Sequence, residues 1–343
     1  MVQPIKLTST TVVLSILVFS SLIAGLGFSM GTQLVNAVLE SDGYSASIVG
    51  IHTGLASLAT AIAAPFVPWI SRRFGYVWPV IVASLSMAAL YVVTASIPTL
   101  WGLFIARFMF GLLLSVPWVL LEAWVNQASP ARHRGKVASA YGAFLMLGYG
   151  LGPYLLTLVG TEGPLPFWVL AGVITAATLP LFFLLPHDPI EQMAESDHKA
   201  MSLFREAPFL FGSCFVGGFL MVAYFGLIGI YARELGYDFE RGIFLLTILI
   251  IGGLIVQIPI GWLADRIGAR KVIYGALIAA FFISFGIPYF DYYSVQVLIV
   301  IVYASLLQSL FSLPLALLGQ RFEGAKVTAA NALFVLVFEV GSV

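Results

Sequence analysis

Ten stretches of about twenty or more mainly apolar residues follow one another along this chain: 11–35, 46–70, 77–96, 98–126, 136–159, 166–186, 209–232, 241–264, 272–290 and 294–319. An eleventh opens near residue 326 and runs on to Val343. A helix that crosses a bilayer needs about 20 such residues, so each run has the length of a membrane span. The charge content agrees. Only 9% of the 343 residues are charged and 60% are hydrophobic, whereas a soluble domain carries about 25% charged residues. The alternating ten-residue pattern of a membrane β-barrel is absent from the sequence. The chain is therefore expected to be an all-α polytopic membrane protein. Several of the runs contain proline, among them Pro65, Pro117, Pro153, Pro180, Pro259 and Pro314. Membrane helices tolerate proline because neighbouring groups satisfy the freed backbone. The first run is too long for a signal peptide and is read as the first span.

Positive charge fixes the expected orientation, because cytoplasmic loops collect Lys and Arg. With the amino terminus inside, thirteen of the sixteen basic residues fall on the cytoplasmic side. The opposite loops hold Arg233 and Arg241, and the sixteenth, Arg107, lies within the fourth run. The longest polar segment, 186–208, splits the chain. It is read as a cytoplasmic linker with a short amphipathic helix. The expected organisation is a six-helix bundle over 1–186, the linker over 187–208, and an incomplete second bundle over 209–343.

The two halves repeat. "WISRRFGYVW" (69–78) and "WLADRIGARK" (262–271) share Trp, Arg and Gly at a spacing of 193. "GKVASAYGAF" (135–144) and "AKVTAANALF" (325–334) align at 190, and "SVP" at 115–117 faces "SLP" at 312–314. The matches keep their order and lie in helices that run the same way. Two halves related by an axis along the membrane normal give this parallel arrangement.

The stretch "GWLADRIGARK" (261–271) carries the pattern G-x-x-x-D-[R/K]-x-G-x-[R/K]-[R/K], filled by Gly261, Asp265, Arg266, Gly268, Arg270 and Lys271. On these residues the chain resembles the major facilitator superfamily of secondary transporters, bacterial type. That superfamily carries the motif between helices 2 and 3 and often repeats it between helices 8 and 9. In the first half only Arg73 and Gly75 of the motif survive. "RFMFG" (107–111) is similar to the family's helix 4 pattern. "GYGLGP" (148–153), with Gly148, Gly152 and Pro153, is similar to the core of the helix 5 motif associated with antiporters, though the trailing glycine pair is absent. "EAWVNQASPARHRGK" (122–136) is similar to the helix 4–5 connection of a bacterial subgroup. The resemblance implies two six-helix bundles and twelve helices, so the chain is expected to lack the last one and a half. It also implies a multi-pass location in the bacterial inner membrane with the amino terminus in the cytoplasm.

Candidate functional residues follow from the cost of polar groups in lipid. A charge near the bilayer centre costs at least about 2.5–3.5 kcal/mol. Arg107 should therefore face a cavity or find a partner, with Gly111, Trp118 and Glu122 on its side of the helix. It is the candidate for binding an anionic group or coupling to a proton; a structural arginine paired across helices is the alternative. Glu122 and Glu339 are candidate proton carriers, because an apolar setting penalises the ionised carboxyl group. His52 is a weaker candidate, as a pH sensor. Polar residues recur at helical spacing: Gly25, Ser29, Gln33 and Asn36 in the first span, Gly217, Tyr224 and Tyr231 in the seventh, and Ser305, Gln308, Ser309 and Ser312 in the tenth. The resemblance implies that helices 1, 4, 7 and 10 line a central passage; helix packing through small residues is the competing account. In the 261–271 motif, the carboxylate of Asp265 is expected to latch one conformation while the two glycines permit close backbone approach. A plain cytoplasmic charge anchor is the other reading.

These observations imply a transporter that moves a small solute by alternating access, coupled to protons. Efflux of small amphipathic compounds and uptake of a small organic anion or sugar both remain open, as does a non-transporting membrane sensor. No phosphate-binding G-x-x-x-x-G-K-[ST] loop occurs in this chain, which excludes ATP drive within it. The four histidines are scattered, so neither a metal centre nor a membrane enzyme is expected. The expected partners are a small-molecule substrate, protons and the lipid bilayer, with no cofactor, no nucleic acid and a monomeric state. The single Cys214 forms no internal disulfide.

Overall fold

The computed structural model describes residues 5–96, 99–128, 134–187, 200–286, 289–290, 292–322 and 325–342. It is helical throughout, with no strand among the described residues. The helices are α1 (Ile5–Ser41), α2 (Ala46–Ala63), α3 (Val67–Phe74), α4 (Val77–Ser96), α5 (Leu100–Ala128), α6 (Arg134–Val159) and α7 (Leu165–Thr178) in the first half. The second half holds α8 (Ala200–Glu206), α9 (Pro208–Glu234), α10 (Phe239–Ile267), α11 (Ala269–Gly286), α12 (Tyr293–Arg321) and α13 (Ala325–Ser342). Each apolar run of the sequence thus carries a helix over most of its described residues. Eight helices among the described residues are long and apolar enough to cross a membrane, or nine if the two arms of α9, bent by 48° between Tyr224 and Leu227, form one span.

The prolines act in two ways. Pro117, Pro153, Pro259 and Pro314 lie inside continuous helices. Pro65 and Pro180 coincide with breaks. The second run tightens to a 3-10 turn at Ala64–Phe66 before α3, and the sixth does so at Leu179–His187 after α7. A proline has no N–H to give to the preceding turn, so the chain there adopts the tighter helix.

The chain divides into two compact units, Met1–Asp42 with Ile62–Met193 and Gly43–Ala61 with Ala194–Val343. In the first, α1 packs on α6 and α7, and α4 packs on α5 and α7. Its core is built on Leu17, Tyr76, Ile81, Leu120 and Trp124. In the second, α9 packs on α13 and α12, and α10 and α11 pack on α12. Phe211, Cys214, Phe322 and Phe334 form one core there, and Ala264, Ile273 and Leu310 form another. The short α8 docks through Leu203, with Phe204 stacked 5.7 Å from Phe211.

The repeat reaches the level of single atoms. A Cβ added to Gly25 would collide with the Leu145 carbonyl, and one added to Gly148 would collide with that of Leu22. Moved along the chain by 193 residues, these become Gly218 against Phe338 and Gly341 against Phe215, and the same carbonyls block both positions. The Ser21 hydroxyl donates to the Tyr141 carbonyl at 3.1 Å; its counterpart, the Cys214 thiol, donates to the Phe334 carbonyl at 3.4 Å. Each unit therefore holds one helix pair at glycine-limited distance, α1–α6 in the first and α9–α13 in the second. Adding a single methyl there forces overpacking, which costs about 1–3 kcal/mol. Gly148→Ala and Gly341→Ala should each lower the thermal midpoint of the detergent-solubilised protein, read by intrinsic fluorescence. Gly172→Ala, where a Cβ meets open space, should leave it unchanged.

Candidate functional site

Arg107 sits seven residues into α5, whose membrane-length segment runs from Leu100 to Glu122; at 1.5 Å per residue this is about 10 Å along the axis. It is 4% exposed. Its Nη2 donates to Thr32 Oγ1 of α1 at 3.0 Å. The Thr32 hydroxyl in turn donates a hydrogen bond to the Phe28 carbonyl at 2.9 Å, which leaves a lone pair to accept from the arginine. The guanidinium carbon stands 5.5 Å from the centre of the Phe28 ring and 5.9 Å from that of Phe110. Contacts of this kind contribute about 2 kcal/mol when desolvated.

The rings form a connected set. Phe28 lies 6.2 Å from Phe110, 5.3 Å from Tyr149 and 6.3 Å from Trp118, which meets it edge-on. Tyr91 lies 5.3 Å from Phe110, and its hydroxyl fills the space that a Cβ on Gly31 would need. Gly31 thus lets α4 reach α1 at this level. Arg107 Nε and Nη1 are buried with no hydrogen-bond partner, and so is the hydroxyl of Ser29, one turn from Thr32. Tyr91 and Tyr149 are the titratable groups within electrostatic reach of Arg107, and no described carboxylate is among them. Glu122 shares the helix but stands fifteen residues away, about 22 Å along the axis.

The other expected residues are distributed over both units. Gln33 and Asn36 are buried on α1, yet the hydrogen bond to Arg107 comes from Thr32, on the adjacent face. Ser305 and Ser309 bond back to carbonyls of their own helix, those of Ile301 and Leu306. Gln308 Nε2 ties α12 to α10 through the Ile250 carbonyl at 3.1 Å, while its Oε1 is buried without a partner. Ser312 is half-buried on the same helix. The α9 row packs on α12: Gly217 against Leu310, Tyr224 against Tyr303 at 4.8 Å between rings, and Tyr231 accepting from Gln296 at 3.3 Å. The Tyr224 hydroxyl is buried and has no partner. Glu339 of α13 is 5% exposed and lies within electrostatic reach of the Cys214 thiol. His52 is fully buried.

The motif at 261–271 is built differently from the sequence expectation. Helix α10 runs on to Ile267 and α11 starts at Ala269, so Gly268 alone joins them. A Cβ at Gly261 or Gly268 would meet nothing within 4 Å, so neither glycine serves close packing. Gly268 is required by its backbone, which has φ +95 and closes α10 through a hydrogen bond to the Ala264 carbonyl at 2.9 Å. Gly75, its counterpart at a spacing of 193, has φ +75 and closes α3 on Ser71 in the same way. The side chain of Asp265 lies outside the described residues. The basic side chains are exposed and rest on aromatic rings: Arg266 lies 3.6 Å from the centre of Trp262, and Arg270 4.8 Å from that of Phe209. Lys271 is exposed. Trp69 and Trp262, the repeated tryptophans, are each 56% exposed, as befits rings at a membrane–water interface. A side chain at such a φ costs about 1–3 kcal/mol. In equilibrium unfolding, Gly268→Ala should therefore destabilise the protein, whereas Gly261→Ala should be neutral or stabilising.

Gly148 and Gly152 face Leu22 and Leu26 of α1, and Pro153 is buried beside them. Both helix 5 glycines meet the backbone of α1, and the Gly148 contact repeats as Gly341 on Phe215, so packing accounts for them and their presence does not itself set a direction of transport.

The family profile of the Major Facilitator Superfamily matches residues 17–343. The chain belongs to that superfamily. It is 31% identical to the uncharacterized MFS-type transporter YfkF of Bacillus subtilis (strain 168) over 278 residues, covering 77% of this chain and 70% of that protein. It is 28% identical to the uncharacterized MFS-type transporter YcaD of Escherichia fergusonii over 60% of this chain and 54% of that protein. The chain thus spans about half the length of YcaD. Among solved structures it superposes on the nucleoside transporter NupG with a TM-score of 0.74 at 15% identity, over 99% of this chain and 88% of that one. The bacterial homologue of the human lysosomal transporter Spinster, inward-facing and unoccupied, gives 0.72 at 14% identity, over 97% and 80%. At these identities the likeness speaks for the fold, that of a multi-pass membrane transporter.

Proposed function

We propose that the protein is a proton-coupled transporter that moves a small solute by alternating access, with Arg107 in the solute path and Glu339 as proton carrier. The supporting observation is an asymmetry within the repeat. At a spacing of 193, Glu339 stands where the first unit has Met146; Arg107 stands where the second has Val300 at that spacing and Ala304 at the 197 of the SVP–SLP match. Both groups are buried. The repeated helix packing is achieved at the counterpart positions by apolar side chains, so neither charge is needed for packing, and each carries the desolvation cost of an ionisable group in an apolar medium. Intramembrane ionisable residues retained against that cost mark ion and solute pathways.

The chain is proposed to sit in the bacterial inner membrane with its amino terminus in the cytoplasm, as the distribution of Lys and Arg directs. The single-residue joint at Gly268, flanked by Arg266 and Arg270 on their aromatic supports, then lies on the cytoplasmic side.

Proteoliposomes holding the protein and an internal pH dye test the reading. Addition of a transported solute from a broad panel should change the internal pH. Arg107→Ala should reduce solute flux at least tenfold. Glu339→Gln should abolish the pH change while solute counterflow persists. Net solute flux without any pH change in the unaltered protein would refute proton coupling, and undiminished flux in Arg107→Ala would remove the arginine from the pathway.

A further inference from the structure

Arg107 is a buried cation with no described carboxylate within electrostatic reach. Its single hydrogen bond goes to a neutral hydroxyl, Thr32, and the titratable groups it senses are phenols. Its Nε and Nη1, together with the nearby Ser29 hydroxyl, are buried polar groups without a partner. A guanidinium presents five N–H donors and no acceptor, so the unmet need at this place is for an acceptor, and a negative one. An anion supplies both the acceptor and the charge; a neutral solute supplies only the acceptor, and a cation brings repulsion. The walls specify more. Phe28 and Phe110 stand beside the guanidinium, and Tyr149, Tyr91 and Trp118 extend the ring set around them. Rings pack well on other rings, in offset or edge-on arrangements.

We infer that the first unit binds a small organic monoanion with an aromatic body, its carboxylate on Arg107 and its ring among Phe28, Phe110 and Trp118. This rests on the transporter reading above and narrows its solute to aromatic carboxylates. The box is closed in this structure, Arg107 being 4% exposed, so entry of a ligand displaces rings that now crowd the guanidinium.

The test uses the protein in lipid nanodiscs at pH 7, with calorimetric titration of four probes: phenylacetate, benzoate, acetate and benzyl alcohol. The two aromatic carboxylates should bind at least tenfold more tightly than acetate, which lacks the ring, and than benzyl alcohol, which lacks the charge. Phe28→Leu should weaken phenylacetate at least threefold. Arg107→Gln should abolish its binding, while Arg107→Lys should keep a weakened site and control for loss of fold. Benzyl alcohol binding as tightly as phenylacetate, undiminished binding in Arg107→Gln, or no binding of either aromatic carboxylate overturns the inference. Counterflow of neutral and cationic solutes separates the two levels. If those are carried and aromatic anions are not, the solute class falls and the transporter reading stands. If no solute of any class is carried, the transporter reading itself falls.

Discussion

Helices in lipid gain nothing from hydrophobic burial against one another, because acyl chains are as apolar as leucine; close van der Waals contact must hold them together. In this protein that contact is made where Gly25 and Gly148 let α1 and α6 approach until each glycine touches the other helix's backbone. Gly218 and Gly341 do the same for α9 and α13. The rest of each unit is arranged around this pair. The seam fixes the height and rotation of α1, and α1 in turn presents Thr32 and Phe28 to Arg107. A methyl group at the seam would act on the arginine site through the helix that carries both.

Much of this architecture is legible in the sequence. Run length and charge content specify the helices, and the shared "W…R.G" pattern reveals the repeat. What the linear text obscures is the reason for individual glycines. Gly261 and Gly268 look alike in a motif, yet one is an ordinary helical residue in open space and the other is a joint at positive φ. Gly148 stands in the helix 5 motif and Gly25 in a polar stripe, but neither pattern tells that the two helices meet there. Only the spacing of 193, applied residue by residue, pairs Gly25 with Gly218 and Ser21 with Cys214.

The arginine was conspicuous as a charge in an apolar run, but its surroundings were not. Helical spacing on α1 singled out Ser29, Gln33 and Asn36, whereas the contact comes from Phe28 and Thr32, one position back around the helix. That offset depends on the rotation of α1, which the seam sets and which no single-helix pattern encodes. Phe110, three residues from Arg107, was accessible to a spacing argument; Tyr91 and Tyr149 come from separate helices and required the packed unit. Likewise, the α9 row of Gly217, Tyr224 and Tyr231 reads as a polar face, yet it packs on α12.

The placement of Cys214 has a practical corollary. It is the only thiol in the chain, it is wholly buried, and it occupies the repeat position of a serine. A maleimide in the surrounding water does not reach a side chain buried in this way, so the 343-residue chain already serves as a silent background. A cysteine engineered at any solvent-reached position would be the sole reporter of its own accessibility, with no need to alter the native sulfur first.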